Sequence, residues 1–226
     1  MTRILFVLIS VAILWGNGFA QGEASLEKPE LYRGMALFVG ASFPFGHFAA
    51  TKDEDESGFA LRGVLFGGEY VREAVHHIDL SVTALLSINQ VDEVAFAELM
   101  RSRFMTQNAR VTVSVESWKS IWVMIGLGFR VNVTDRAAFF LHGHVGVAFA
   151  IIPSIDAKVV MGGNSASFKQ EATGGLDYAY GVSSGFAVGP IEIAARLFSS
   201  QPEFTSSQPK LKQSMSVVHI SVGILF

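Results

Sequence analysis

The 226-residue chain contains no cysteine. That excludes disulfide frameworks, thiolate metal sites and lipid acylation at a cysteine. Charge is scarce as well: 17 basic and 20 acidic residues make up 16% of the chain and leave a net charge of −3. No basic stripe gathers anywhere, which discounts nucleic acid as a partner. Long hydrophobic runs are also missing after the first 20 residues, although half of the residues are hydrophobic. The most apolar windows, 121–129 and 139–152, are broken by Gly126, Gly128, His142 and His144. A spanning helix needs about 20 consecutive apolar residues, so none is expected after the leader.

Residues 1–20 carry Arg3, an apolar run over 4–15 and then small residues up to Gly18-Phe19-Ala20. This is the pattern of a cleavable secretory signal peptide. Residues 21–33 then read as a short periplasmic segment, and 34–226 as one domain, since no linker divides it.

Within that domain the dominant pattern is period-two alternation, recurring between turn residues. It predicts strands near 34–43, 58–71, 78–88, 119–131, 137–150, 175–188, 191–199 and 214–226. In the last, Val218, Ile220, Val222, Ile224 and Phe226 share one face, against His219, Ser221 and Gly223. In 119–131, Ile121, Val123, Ile125, Leu127, Phe129 and Val131 oppose Trp122, Met124, Gly126, Gly128 and Arg130. Segment 58–71 alternates least cleanly, because Arg62 and Glu69 fall on opposite parities, which suggests a bulge. Residues 94–104 suit a helical turn or two, or 109–115 an extension of the barrel beyond the membrane.

The connections alternate long, short, long, short, long, short, long: 44–57, 72–77, 89–118, 132–136, 151–174, Gly189-Pro190 and 200–213. An even-stranded outer-membrane barrel has this order, with short periplasmic turns and long extracellular loops. The expected fold is therefore all-β: a closed, antiparallel, up-and-down transmembrane barrel of about eight strands. The small face, mostly Gly, Ala and Ser, suits a narrow lumen. Charges on it must find one another. Asp79, Arg130, Glu192, Arg196 and Arg62 are expected to form a lumenal network that plugs the barrel.

These features resemble the small outer-membrane β-barrel proteins of the OmpA/OmpX type, over roughly residues 32–226. The resemblance is carried by Gly40-Ala41-Ser42-Phe43-Pro44-Phe45-Gly46, by Ile125-Gly126-Leu127-Gly128-Phe129 and by the alternation that ends on Phe226. It implies an outer-membrane location, with lipid and lipopolysaccharide as surroundings. It also implies that Val222, Ile224 and Phe226 form a signal read by the barrel assembly machinery. The family serves in envelope integrity, adhesion, serum resistance or lipid modification, so an extracellular ligand of the loops is expected without its identity.

Several constellations compete with bland readings. His142-Gly143-His144 places two imidazoles on one strand face, which can chelate a metal with His219 as a third ligand, yet nothing specifies the rest of such a site. Packed network histidines are the expectation, with no metal and no cofactor. His219-Ile220-Ser221 resembles the histidine-serine pair of outer-membrane lipid A deacylases, where a base activates the hydroxyl. Both residues face the predicted lumen, so no catalytic role is assigned. Lys52-Asp53-Glu54-Asp55-Glu56 reads as a solvated acidic loop, since it lacks calcium-loop spacing. His76-His77 and Gly162-Gly163 read as turns. The favoured function is a non-enzymatic barrel supporting the envelope or presenting its loops for binding. A secreted soluble barrel carrying a small apolar ligand and an outer-membrane acyl hydrolase are the alternatives.

Overall fold

The alternation of large apolar with small or polar residues produces long strands, each with one face for each environment. A computed structural model describes residues 34–51, 57–103, 110–161, 164–204 and 211–226. The predicted signal peptide, the 21–33 segment, the acidic stretch 52–56 and Gly162-Gly163 lie outside the described residues.

The strands are β1 (Gly34–Phe45), β2 (Ala60–Val75), β3 (Ile78–Val91), β4 (Arg110–Val115), β5 (Trp118–Thr134), β6 (Ala137–Ile152), β7 (Ile155–Met161), β8 (Asn164–Gln170), β9 (Thr173–Val188), β10 (Ile191–Ser200), β11 (Glu203–Phe204), β12 (Leu211–Lys212) and β13 (Met215–Leu225). Eight of them, β1, β2, β3, β5, β6, β9, β10 and β13, pair antiparallel in that order. The ring closes where β13 pairs with both β10 and β1, from Ala36↔Leu225 to Phe45↔Ser216. Closure leaves the barrel no free edge, so its backbone groups are satisfied within the sheet. Each of the eight strands predicted from alternation overlaps one of these.

Three two-residue turns, His76-His77, Asp135-Arg136 and Gly189-Pro190, lie at one end. Gly189 sits at φ +56, where a side chain is strained. Neighbouring turns are tied together at this end. Gly189 N–H donates to Arg136 O at 2.8 Å, Leu225 N–H to Pro190 O at 2.7 Å and Phe226 N–H to Met35 O at 2.8 Å.

The long connections gather at the other end and hold structure of their own. Helix α1 (Glu93–Arg103) is capped by Asp92, whose Oδ1 accepts from Ala95 N–H at 2.9 Å. The helical reading of this connection therefore occurs, the helix being longer than a turn or two. The strand that follows does not extend the barrel, however. β4 pairs with β7, and β7 with β8, in a separate three-stranded sheet. Glu93 Oε1 accepts from Val115 N–H at 2.8 Å, fastening the start of α1 to the end of β4.

The pleat decides which environment each residue meets. Val222, Ile224 and Phe226 are exposed on the outer face, and His219, Ser221 and Gly223 point inward. Tyr178 and Tyr180 face outward at 82% and 65% exposure. Trp122 lies wholly in the lumen.

Candidate functional site in the barrel lumen

The lumen is filled in three layers. Nearest the turns is a layer of charge. Arg196, on β10 opposite Ser183 of β9 and His219 of β13, is fully buried. Its Nη2 donates to Glu69 Oε2 at 2.7 Å and to Glu192 Oε1 at 2.8 Å, and its Nη1 donates to Ser221 Oγ at 2.6 Å. The guanidinium also lies 4.1 Å from the centroid of the Phe38 ring. Such a planar fork suits several oxygens at once, and the aromatic face accepts its cationic plane. Arg130 on β5 and Asp79 on β3 form a second buried pair, with Nε 3.8 Å from Oδ2.

Asp79, Arg130, Glu192 and Arg196 are thus all buried in the lumen, in these two groups. Arg62 joins neither. Between Ala60 and Gly63 the register slips, three residues of β2 spanning two of β3. This bulge turns both Leu61 and Arg62 outward, and beyond it Leu65 and Glu69 face the lumen. Parity counted on from Arg62 would turn Gly68 and Tyr70 inward; the slip puts Glu69 there instead. It is the acid through which β2 reaches β10.

Above the charges is a layer of histidines and aromatic rings. The other oxygen of Glu69, Oε1, lies 3.7 Å from His142 Nδ1. His142 stacks on Phe140 at 5.4 Å between centroids, and His144 meets Phe198 edge-on at 5.5 Å. His144 Nε2 shares a 2.7 Å hydrogen bond with Ser183 Oγ. His219 packs against Phe198 at 5.8 Å and Trp122 at 6.2 Å. Room for these rings comes from β5, where Gly128 is opposite His142 and Gly126 opposite His144. A Cβ on Gly128 would collide with the His142 ring, and one on Gly126 with the His144 ring at 2.7 Å.

Toward the loops the lumen turns apolar and closes. Trp122 Nε1 donates to Ser120 Oγ at 3.0 Å, and Ser120 shares a 2.7 Å hydrogen bond with Ser87. Asn89 Nδ2 donates to Leu61 O at 3.0 Å. Beyond them Trp118 meets Phe48 at 5.4 Å and Phe204 at 6.3 Å, while its Nε1 donates to Gly58 O at 2.9 Å. Met215 and Val217 complete this buried cluster.

His219 and Ser221 accordingly occupy the lumen, the first among aromatic rings and the second bound to Arg196. His76 and His77 remain in their turn, with rings 3.8 Å apart, and His77 N–H donates to Glu73 Oε1 at 3.0 Å.

No family model and no curated protein sequence matches the chain. Among solved structures it is similar to Ail, the attachment invasion locus protein of Yersinia pestis, at 14% identity over 86% of this chain and 99% of that one, with a TM-score of 0.41. The backbone structure of the Yersinia pestis outer membrane protein Ail in a phospholipid bilayer nanodisc aligns at 14% identity over 85% and 98%, with a TM-score of 0.38. Neisserial surface protein A aligns at 12% identity over 85% and 97%, with a TM-score of 0.37.

Proposed function

We propose that the chain is a non-enzymatic outer-membrane barrel with a plugged lumen, which supports the envelope or presents its extracellular loops for binding. The observation that carries this reading is the inversion of polarity across the barrel wall. Val39, Val64, Val82, Ile125, Val145, Val182, Ile193 and Val222, one from each barrel strand, are exposed on the outside, while Glu69, Asp79, Glu192, Arg130 and Arg196 are buried within. Water would disfavour such a belt, whereas acyl chains match it. Tyr70 toward the turns and Tyr178 toward the loops stand where aromatic girdles flank an apolar band. On this reading lipid and lipopolysaccharide surround the wall, and Val222, Ile224 and Phe226 serve the assembly machinery.

The filled lumen favours a plug over a carrier of apolar ligand. The enzyme alternative is disfavoured by orientation: Ser221 Oγ accepts from Arg196 and faces away from the surface that acyl chains would touch. The sheet of β4, β7 and β8 gives the loop end a built surface, with Phe168 exposed on it. Loops of this kind are where binding concentrates.

The test is membrane fractionation combined with mobility on SDS gels before and after heating. Recovery in the outer membrane with a heat-dependent shift is expected, and recovery as a soluble periplasmic monomer would contradict the reading. Ser221→Ala is expected to leave the lipid A profile unchanged when wild type is the comparison. A profile that differs between cells with and without the wild-type protein would revive the hydrolase.

A further inference from the structure

We propose that the lumen holds one divalent transition-metal ion between Glu69, His142 and His144. Glu69 comes from β2 and both imidazoles from β6, with β3 and β5 between them in the barrel wall. A carboxylate oxygen and one nitrogen from each ring all fall within 4.8 Å of one another. Metal bonds of roughly 2.0–2.2 Å place tetrahedral ligands about 3.4 Å apart. Glu69 Oε1 and His142 Nδ1, at 3.7 Å, are already close to that spacing. The third, from His144, lies within the same 4.8 Å.

Three further features point to an ion. First, His144 Nδ1 is buried without a hydrogen-bond partner among the described residues, and so is Ser81 Oγ. Both lie against Gly126, where each would meet an added Cβ. The opposite nitrogen of that ring, Nε2, is held by Ser183 Oγ at 2.7 Å. A ligating histidine is typically oriented in this way, one nitrogen fixed by a hydrogen bond and the other offered to the metal. Second, the glycines of β5 open the space the rings need, as described above. Third, the buried acidic and basic side chains of the described residues are three carboxylates, Glu69, Asp79 and Glu192, and two guanidiniums, Arg130 and Arg196. A cation beside Glu69 offsets the excess, and Arg196 holds the far oxygen of the same carboxylate in place. Two imidazoles with one carboxylate suit Zn²⁺, Cu²⁺, Ni²⁺ or Co²⁺ better than Ca²⁺ or Mg²⁺. The competing arrangement is a proton shared between His142 and Glu69.

Because every ligand is buried, the ion enters as the barrel folds and leaves slowly. The full chain, without an affinity tag, is refolded from denaturant into detergent with Cu²⁺ or Zn²⁺ present, then exposed to a chelator. His76→Asn and His77→Asn are introduced throughout, because that exposed pair is a competing surface site. Mass spectrometry is expected to find one retained equivalent, and the Cu²⁺ electron paramagnetic resonance spectrum to carry hyperfine coupling from two imidazole nitrogens. His144→Asn is expected to reduce that coupling to one nitrogen, and His142→Asn/His144→Asn to abolish retention, with folding checked by the heat-dependent mobility shift. The spectrum of the protein with both lumen histidines intact decides the matter even if a lumen variant does not fold. Complete release to the chelator would leave only the shared proton and overturn the proposal. Retention by the folded double variant, or a spectrum without two nitrogen ligands, would place the ion elsewhere and overturn it too.

Discussion

Arg196 and Glu69 are 127 residues apart in sequence and joined by a 2.7 Å hydrogen bond across the lumen. The bond links β10 to β2, strands separated by β13 and β1 along the wall. It therefore braces the barrel across its interior, in addition to the hydrogen bonds along its circumference.

Arg196→Met leaves Glu69 and Glu192 facing one another without the cation they share. Removing one partner of a buried ion pair costs about 3–5 kcal/mol, whereas replacing the whole group with neutral side chains costs far less. Urea unfolding in detergent is expected to show a large loss for Arg196→Met and a much smaller one for Glu69→Gln/Glu192→Gln/Arg196→Met. Equal losses would mean that the charges do not act as a unit.

Two glycines separate close packing inside from open space outside. Gly128→Ala drives a methyl group into His142, while at Gly143 the nearest atom to an added Cβ is Leu127 O at 3.9 Å. Overpacking costs about 1–3 kcal/mol. A lower unfolding midpoint is expected for Gly128→Ala and a change within about 0.5 kcal/mol for Gly143→Ala. Similar midpoints for both would mean that the lumen is looser than its packing implies.

Side chains occupy the lumen from Asp79 and Arg130 at the turns to Trp118 and Phe204 at the loops. Purified protein in planar bilayers is expected to give negligible conductance. Large, steady single-channel currents would refute the plug.

The wall of this barrel was legible in the sequence because it is written locally. Period-two alternation marked the eight strands, and small residues such as Gly126, Ser183 and Ser221 identified the inner face, since large ones would not fit there. What was not legible depends on contacts between distant segments. A single bulge at Leu61 and Arg62 reversed parity and hid Glu69, whose partner lies 127 residues away. Pairing of β4 with β7 joins two different loops: 109–115 alternates and reads as sheet, whereas its partner Ile155–Met161 does not alternate cleanly enough to announce itself. The pair His142 and His144 was visible as a motif, but its third member became evident only when β2 and β6 were placed on the same lumen.

The central claim is that the outer face of the barrel meets lipid. Ile125, on β5 between Val82 and Val145 and 60% exposed, tests it most directly. Arg at the bilayer midplane of a barrel costs about 2–4 kcal/mol on the lipid face and far less toward the interfaces. Reversible folding into phospholipid vesicles, followed by urea titration, is expected to show a loss of that size for Ile125→Arg. Unchanged stability of Ile125→Arg, or cooperative folding of the wild type to a soluble monomer without lipid or detergent, would contradict the account.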